Sequence, residues 1–200
     1  TIYISLKNQD SINLINKLYF DSYRLGEIRQ NIEEVEPSLR NADFVSLDMG
    51  CIRLSDNPSV LNGSSNGFYA EEICQIMRYA GISGRLKSLG IYNYVNFDDK
   101  KLQSEKLIAQ MIWCFFEGFF HKMKLFKPTD NDMVKYFVSM REGEYNTCFY
   151  KNKKLEKWWM EVPIIKSNSS SHFESIYIPC SYNDYPVSYT HLTLPTTYHV

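Results

Sequence analysis

An aspartate at the end of a short apolar segment is the first candidate for chemistry. The segment Asp43–Met49 predicts a buried strand closed by Gly50, and alternation along that strand puts Asp48 and position 50 on the same face. Ligands of parallel α/β sheets bind beyond the carboxyl ends of the strands. With a polar loop containing Asp56 next along the chain, Asp48 is a candidate metal ligand or general base. The structural alternative is that its carboxylate accepts hydrogen bonds from the loop.

Helices and strands that alternate along the chain must position this aspartate. Apolar periodicity predicts helices over Ser11–Arg40, Tyr69–Ala80 and Leu102–Phe120, and strands over Asp43–Met49 and Leu86–Tyr94. This order implies crossover connections and a mainly parallel sheet covered by helices on both faces. The sequence therefore predicts an α/β fold.

Several details of this architecture are also open to prediction. Gly81 stands where a helix terminator belongs, and the apolar helix Leu102–Phe120 is expected to be buried on most of its surface. Beyond Lys127, short β-like segments are expected to form an edge or appendage of the same domain. Trp158 and Trp159 are interpreted as core or subunit-contact aromatics.

Composition excludes several functional classes. The 44% hydrophobic and 22% charged residues are typical of a globular domain, and a net charge of −1 argues against nucleic acid or an anionic membrane as partner. No apolar run reaches the roughly 18 residues that span a bilayer. Five scattered cysteines indicate reduced thiols in a cytoplasmic protein rather than disulfides or a zinc site; they are Cys51, Cys74, Cys114, Cys148 and Cys180.

Both ends of the chain carry unusual sequence. The chain opens directly on a strand-like segment, Ile2–Leu6, so we expect that a preceding part of the protein is missing. Residues Val187–Thr196 match the translation of a common sequencing-adaptor oligonucleotide. We therefore expect 187–200 to be a read-through tail that packs against nothing, and 1–186 to be the domain.

Four segments together resemble the ureohydrolases, the family of arginase, agmatinase and formimidoylglutamase. Ser46–Pro58 resembles the family signature Ser-x-Asp-x-Asp-x-x-x-Pro, and Asn66–Glu72 resembles its Gly-Gly-Leu-x-x-x-Glu segment. Lys154–Val162 and Pro179–Tyr185 resemble the formimidoylglutamase-like branch of Bacteroidetes-type bacteria. The resemblance extends over most of residues 20–186.

The resemblance implies a three-layer αβα domain with a mainly parallel sheet, of which 1–186 would be the C-terminal part. It also implies two Mn²⁺ ions that share a hydroxide, which attacks a guanidinium or formimidoyl carbon. Asp48 matches the first aspartate of the signature, a metal ligand. Glu72 matches the glutamate that holds the cationic nitrogen group of the substrate. The alternative for Glu72 is a solvated residue in a helical first turn, where the helix dipole favours a carboxylate.

The chain also departs from the family pattern. Gly50 replaces the second aspartate, and Asn93 stands where the family has a glutamate. The family's Gly-Gly-Asp-His and Asp-x-His-x-Asp segments do not occur, which we attribute to N-terminal truncation. The histidines offer no substitute, since His121 is expected to interact with a helix C-terminus and His172 lies in a Ser/Asn-rich loop. The 200-residue chain is therefore expected to be inactive by itself.

Two hypotheses for function follow. In the first, the parent protein is a manganese-dependent hydrolase of linear amidines in histidine or arginine catabolism, most like formimidoylglutamase, with arginase and agmatinase as the other members considered. Its partner would be a small amidine or guanidino substrate, and it would be cytoplasmic and a candidate homo-oligomer, without nucleic acid or membrane. In the second, favoured by Gly50, it is a metal-poor relative that acts as a binding or assembly subunit.

Overall fold

The structure is a computed structural model that divides the chain into two compact units, Thr1–Leu125 and Phe126–Val200. The residues that it describes are 13–15, 17–18, 22–61, 63–95, 101–122, 126–140, 145–164 and 174–185. The expected read-through tail, 187–200, lies outside these residues. The assignment of 1–186 to one domain stays a prediction.

Helices and two parallel strands form the first unit. In chain order the elements are α1 (Leu25–Gln30), a 3-10 turn (Ile32–Glu34), α2 (Val35–Arg40), β1 (Phe44–Asp48), a second 3-10 turn (Met49–Cys51), α3 (Ala70–Ile82), β2 (Ser88–Tyr92) and α4 (Gln103–Phe120). Strands β1 and β2 are parallel, with Phe44 opposite Ser88 and Asp48 opposite Tyr92. The α/β class and the parallel pairing predicted from the order of elements are confirmed.

The long helix predicted over Ser11–Arg40 is wrong in its second half, where three short pieces replace it. Helix α1 ends before Asn31, and α2 begins at Val35, so that Pro37 is the third residue of α2. A proline inside one continuous helix would remove a backbone hydrogen bond and clash with the preceding turn, whereas the first turn of a new helix tolerates it. The restart at Val35 therefore accommodates Pro37.

Helices α3 and α4 pack with their backbones in contact, through two glycines. A Cβ at Gly81 would lie 2.1 Å from the Phe115 carbonyl oxygen, and one at Gly118 would lie 2.2 Å from the Arg78 carbonyl oxygen. The prediction that Gly81 ends its helix is wrong, because α3 continues through it to Ile82. The glycine is required by the approach of α4 rather than by a helix end.

Burial in the first unit is more one-sided than the sequence predicted. One stripe of α4 is buried, at Ser104, Leu107, Met111 and Gly118, whereas Trp113 and Phe120 are 74% and 81% exposed. In β1, Leu47 is buried but Ser46 and Asp48 are exposed. The expectations of a largely buried helix and of a strand buried on both faces are therefore wrong for the described residues. Among those residues, no helix is long and apolar enough to cross a membrane.

The second unit is an antiparallel sheet of four strands that pair in chain order. The strands are β3 (Met133–Met140), β4 (Tyr145–Asn152), β5 (Trp158–Ile164) and β6 (Glu174–Cys180). Adjacent residues of a strand point to opposite faces, so Trp158 packs on Tyr136 and Tyr185 while Trp159 stacks on Phe126. Both tryptophans are buried, which confirms the interpretation of them as core residues.

The glycine contact between the helices gives a test of the packing. Gly118→Ala would force a methyl group against the Arg78 carbonyl, and we expect it to destabilise the protein by about 1–3 kcal/mol, as overpacking does. The control is Gly26→Ala in α1, where an added Cβ meets nothing within 4 Å; it should be neutral or stabilise by up to about 1 kcal/mol. Urea unfolding measures both, and equal effects would contradict the close approach.

Candidate functional site

Asp48 lies at the carboxyl end of β1, where its carboxylate organises the turn that follows. Its Oδ1 accepts a hydrogen bond of 2.6 Å from the Gly50 N–H and one of 3.0 Å from Asn93 Nδ2. Position 50 lies in the 3-10 turn, so the prediction that it shares a strand face with Asp48 is wrong. A Cβ there would lie 2.9 Å from Asp48 Oδ1. The contacts therefore match the structural alternative, a carboxylate that accepts from its own loop.

The structure brings together Asp48, which follows the family pattern, and Gly50 and Asn93, which depart from it. Asn93 comes directly after β2, next to the end of β1, because Asp48 and Tyr92 are opposite each other. Its φ of 62° lies in the left-handed region, which asparagine tolerates better than most residues. Asp48, Gly50 and Asn93 thus form one hydrogen-bonded group containing a single carboxylate.

Asp56, in the polar loop after β1, binds the first turn of α3. Its Oδ2 accepts the Ala70 N–H at 2.9 Å, and its Oδ1 lies 2.9 Å from Arg53 Nε. Burial by itself would raise the pKa of Asp56, but the contacts with Arg53 and with the Ala70 N–H outweigh it and hold the pKa below its ordinary value. Asp56 is therefore an ionised partner of a helix N-terminus.

Glu72, the third residue of α3, is bound to a guanidinium group of its own chain. Its Oε2 accepts the Tyr69 N–H at 2.8 Å, and its two oxygens lie 3.2 and 3.3 Å from Arg29 Nε. The Glu72 side chain is 16% exposed. The first-turn position predicted for it is confirmed, but the side chain is paired rather than solvated.

Two arginines and one tyrosine complete the site, and sequence patterns did not indicate any of them. The guanidinium carbons of Arg29 and Arg53 lie 4.3 and 4.0 Å from the centre of the Tyr69 ring, within cation–π distance. Arg29 belongs to α1, 43 positions before Glu72. No local spacing rule reports a contact over such a separation. We refer to Arg29, Arg53, Asp56, Tyr69 and Glu72 as the guanidinium–carboxylate network.

An open groove of about 480 Å³ lies beside the network, between the starts of α3 and α4. Its lining includes Arg53, Asp56, Glu71 and Lys106, and Lys106 Nζ donates to the Lys101 carbonyl oxygen. Small-molecule pockets of this size are usually apolar with a few polar groups. Because this groove is mainly polar and Arg53, Asp56 and Lys106 have partners within the protein, its shape alone does not indicate a ligand.

The residues that the structure describes do not fit a two-metal centre. Among them, no group of three or more histidine, cysteine, aspartate or glutamate side chains could hold a metal ion. Asp48 already accepts two hydrogen bonds on one oxygen, and Gly50 supplies no ligand atom. The five cysteines are free thiols, and His121 contacts the Glu117 carbonyl oxygen at 2.8 Å, as expected for a residue at a helix C-terminus.

Comparison with known proteins identifies the fold. No protein-family model matches the sequence, and no curated protein matches it. Solved structures do match: a formiminoglutamase from Trypanosoma cruzi, with a TM-score of 0.53 and 18% identity, an arginase from Helicobacter pylori, with 0.52 and 21%, and an arginase from Bacillus caldovelox, with 0.51 and 16%. The chain has an arginase-like fold. The α/β architecture of the arginase type predicted from the sequence is thereby confirmed.

The extent of this similarity limits what it shows. The matches cover 58%, 61% and 62% of this chain, but 42%, 43% and 44% of the three neighbours. The chain thus spans less than half the length of the proteins that it resembles. At these identities the similarity shows the arginase-like fold and not the activity, substrate or metal content.

The role of Asp48 can be tested by substitution. Asp48→Asn keeps the Oδ1 acceptor and should change the unfolding free energy by less than about 0.5 kcal/mol, whereas Asp48→Ala loses both hydrogen bonds and should cost about 1 kcal/mol. Mn²⁺ at about 1 mM should leave the thermal midpoint of the wild-type chain unchanged, since a ligand that binds the folded state would raise it. A Mn²⁺-dependent rise that Asp48→Asn abolishes would instead identify Asp48 as a metal ligand.

The lowered pKa of Asp56 predicts a pH-dependent contribution to stability. Its contribution is present above the unfolded-state pKa of about 3.9 and is lost as the pH falls through the lower folded-state value. Asp56→Asn should therefore cost about 1–2 kcal/mol at neutral pH, and the cost should shrink as the pH falls below about 4. Urea unfolding of both proteins across this range measures it, and a pH-independent difference would contradict an ionised Asp56.

Proposed function

We propose that the protein is a hydrolase of C–N bonds in linear amidines, such as formimidoylglutamate, arginine or agmatine, in which Glu72 holds the cationic nitrogen group of the substrate. One observation carries the proposal: the Glu72 carboxylate already binds a guanidinium group, that of Arg29, with both oxygens within 3.3 Å of Nε. The arginase-like fold supports it, because the neighbours with this fold are named as arginases and a formiminoglutamase.

The surroundings of Glu72 suit this role. Its carboxylate is held by the Tyr69 N–H, which fixes one oxygen and leaves acceptor capacity for a ligand. The side chain is largely withdrawn from water, so its attraction to a cation is screened less than that of a surface carboxylate. The same residue sits in the first turn of α3, where a carboxylate interacts favourably with the helix dipole. Glu72 therefore binds and orients a planar cation.

The metal that this reaction would use is Mn²⁺, with which the Trypanosoma cruzi formiminoglutamase has been solved. Bound metal ions would lower the pKa of water and polarise the substrate. The described residues do not fit a two-metal centre, because Asp48 accepts hydrogen bonds from Gly50 and Asn93 and has no neighbouring ligands. No step of the reaction is therefore assigned to Asp48, and the hydrolysis would depend on ligands outside the described residues.

A second candidate function is supported by that same misfit. Gly50 and the hydrogen-bonded Asp48 favour a catalytically impaired relative that keeps the scaffold and the guanidinium site. Such a protein would bind guanidino compounds, or would assemble with an active subunit, without cleaving them. A cytoplasmic location, the absence of nucleic-acid or membrane partners and the formation of homo-oligomers belong to either proposal.

Hydrolysis by the complete product of the gene that encodes this chain tests the first function. With Mn²⁺ supplied, it should release formamide, urea or both from formimidoylglutamate, arginine or agmatine. Glu72→Gln keeps the size of the side chain and an acceptor for the Tyr69 N–H but removes the charge. It should lower kcat/KM by roughly 10- to 100-fold, the usual effect of losing a charged hydrogen bond.

The adjacent glutamate supplies a matched control. Glu71 is exposed in the same turn of α3, and Glu71→Gln should leave kcat/KM within about threefold of wild type, since surface charges have small effects. Binding of the three compounds without turnover would support the second function. If the complete gene product neither bound nor cleaved any of the three compounds, both proposed functions would be contradicted.

A further inference from the structure

The Arg29 guanidinium makes four kinds of contact that would also suit a free guanidinium ligand. Besides Glu72, it donates from one terminal nitrogen to Asn66 Oδ1 at 3.5 Å and from the other to the Gly67 carbonyl oxygen. Its guanidinium carbon lies over the Tyr69 ring. A carboxylate, an amide oxygen, a carbonyl and an aromatic face together match the planar, five-donor guanidinium and not a single ammonium group.

The acceptors of this site are fixed independently of Arg29. The chain around Gly67 is bound to the segment after β1, since the Phe68 N–H donates to the Cys51 carbonyl oxygen at 2.9 Å and the Arg53 N–H donates to the Phe68 carbonyl oxygen at 3.1 Å. Glu72 is held by the Tyr69 N–H. The acceptor set would therefore persist if the Arg29 side chain were withdrawn.

Other arginine pairs of the first unit differ from this one. Arg40 pairs with Glu36 inside a single helix, and Arg85 pairs with Asp43 where both side chains are at least 43% exposed. The pair of Arg29 and Glu72 joins two separate helices and is 26% and 16% exposed. Arg29 thus extends from α1 into a partly enclosed site whose acceptors, Asn66, Gly67 and Glu72, lie in α3 and just before it.

The helix that carries Arg29 is suited to local release. Helix α1 has six residues, of which Ile28 is buried, and helices this short are marginal without tertiary contacts. Segments with few buried apolar side chains open at a fraction of the free energy of global unfolding. The side chain of Arg29 can therefore leave Glu72 while the rest of the first unit stays folded.

We propose that Arg29 is an internal occupant of the guanidinium site, and that a guanidino ligand binds Glu72 only by displacing it. The inference rests on the proposed function for the class of ligand, a compound with a free guanidinium or amidinium end. A tethered group acts at an effective concentration on the order of millimolar. Since only the fraction of molecules with an open site binds, Arg29 lowers the apparent affinity for every external ligand.

Ethylguanidine, which reproduces the end of an arginine side chain, is the probe for the test. Its binding to the 200-residue chain is measured by NMR titration of the backbone amides of Tyr69 and Glu72. Arg29→Ala should bind ethylguanidine at least about 10-fold more tightly than the wild-type chain does, because the internal competitor is gone. Ethylammonium has the same charge but no planar fork. Its affinity should be the same for the wild-type chain and for Arg29→Ala.

Two further variants locate the site. Glu72→Gln in the Arg29→Ala background should remove the gain in affinity. Arg85→Ala, which breaks an exposed arginine pair elsewhere in the unit, should bind ethylguanidine as weakly as wild type. Equal affinities of wild type and Arg29→Ala, or a gain that survives Glu72→Gln, would overturn the proposal.

Loss of stability in Arg29→Ala still leaves a decisive measurement. If the variant unfolds more easily, ethylguanidine should raise its thermal midpoint by mass action and ethylammonium should not. The absence of this difference would contradict the proposal.

The binding test does not depend on catalysis. Tighter ethylguanidine binding without hydrolysis by the complete gene product would contradict the hydrolase function alone, and hydrolysis with no effect of Arg29→Ala would contradict the internal occupant alone.

Discussion

The first unit depends on how two carboxylates satisfy the start of helix α3. The first backbone N–H groups of a helix have no partners within it, and Asp56 and Glu72 accept those of Ala70 and Tyr69. Asp56 also binds Arg53, from the segment after β1, and Glu72 also binds Arg29, from α1. One electrostatic arrangement thus joins three segments that are distant in sequence.

The same arrangement binds the guanidinium group of Arg29, whereas the described residues do not fit a two-metal centre. Glu72 combines a fixed orientation with partial burial, and both favour a bound cation. Asp48 has the opposite character, since it is exposed and accepts hydrogen bonds from Gly50 and Asn93. In the described residues, the carboxylate that binds a guanidinium and the carboxylate proposed as a metal ligand are therefore different groups with different surroundings.

The direction of α3 is fixed at its other end by backbone contact with α4. Gly81 and Gly118 allow the backbones of α3 and α4 to approach more closely than any side chain would permit. The packing of this helix pair therefore depends on the two glycines as well as on apolar burial. With its beginning held by charges and its end by close packing, α3 presents Glu72 in one orientation. This supports a preformed site, in which a change of occupant requires movement of α1 rather than of α3.

The sequence by itself determined several local elements and the fold class. Apolar periodicity predicted α3 and the two parallel strands, and the order of elements predicted the α/β fold. Only the tertiary structure decided which groups face Asp48 and Glu72, because Asn93 and Arg29 lie 45 and 43 positions away along the chain. Periodicity reports which face of an element is apolar, whereas the partner of a charged side chain depends on how separate elements pack. For that reason the sequence indicated a carboxylate that could bind a cation, and the structure revealed the cation that the chain itself supplies.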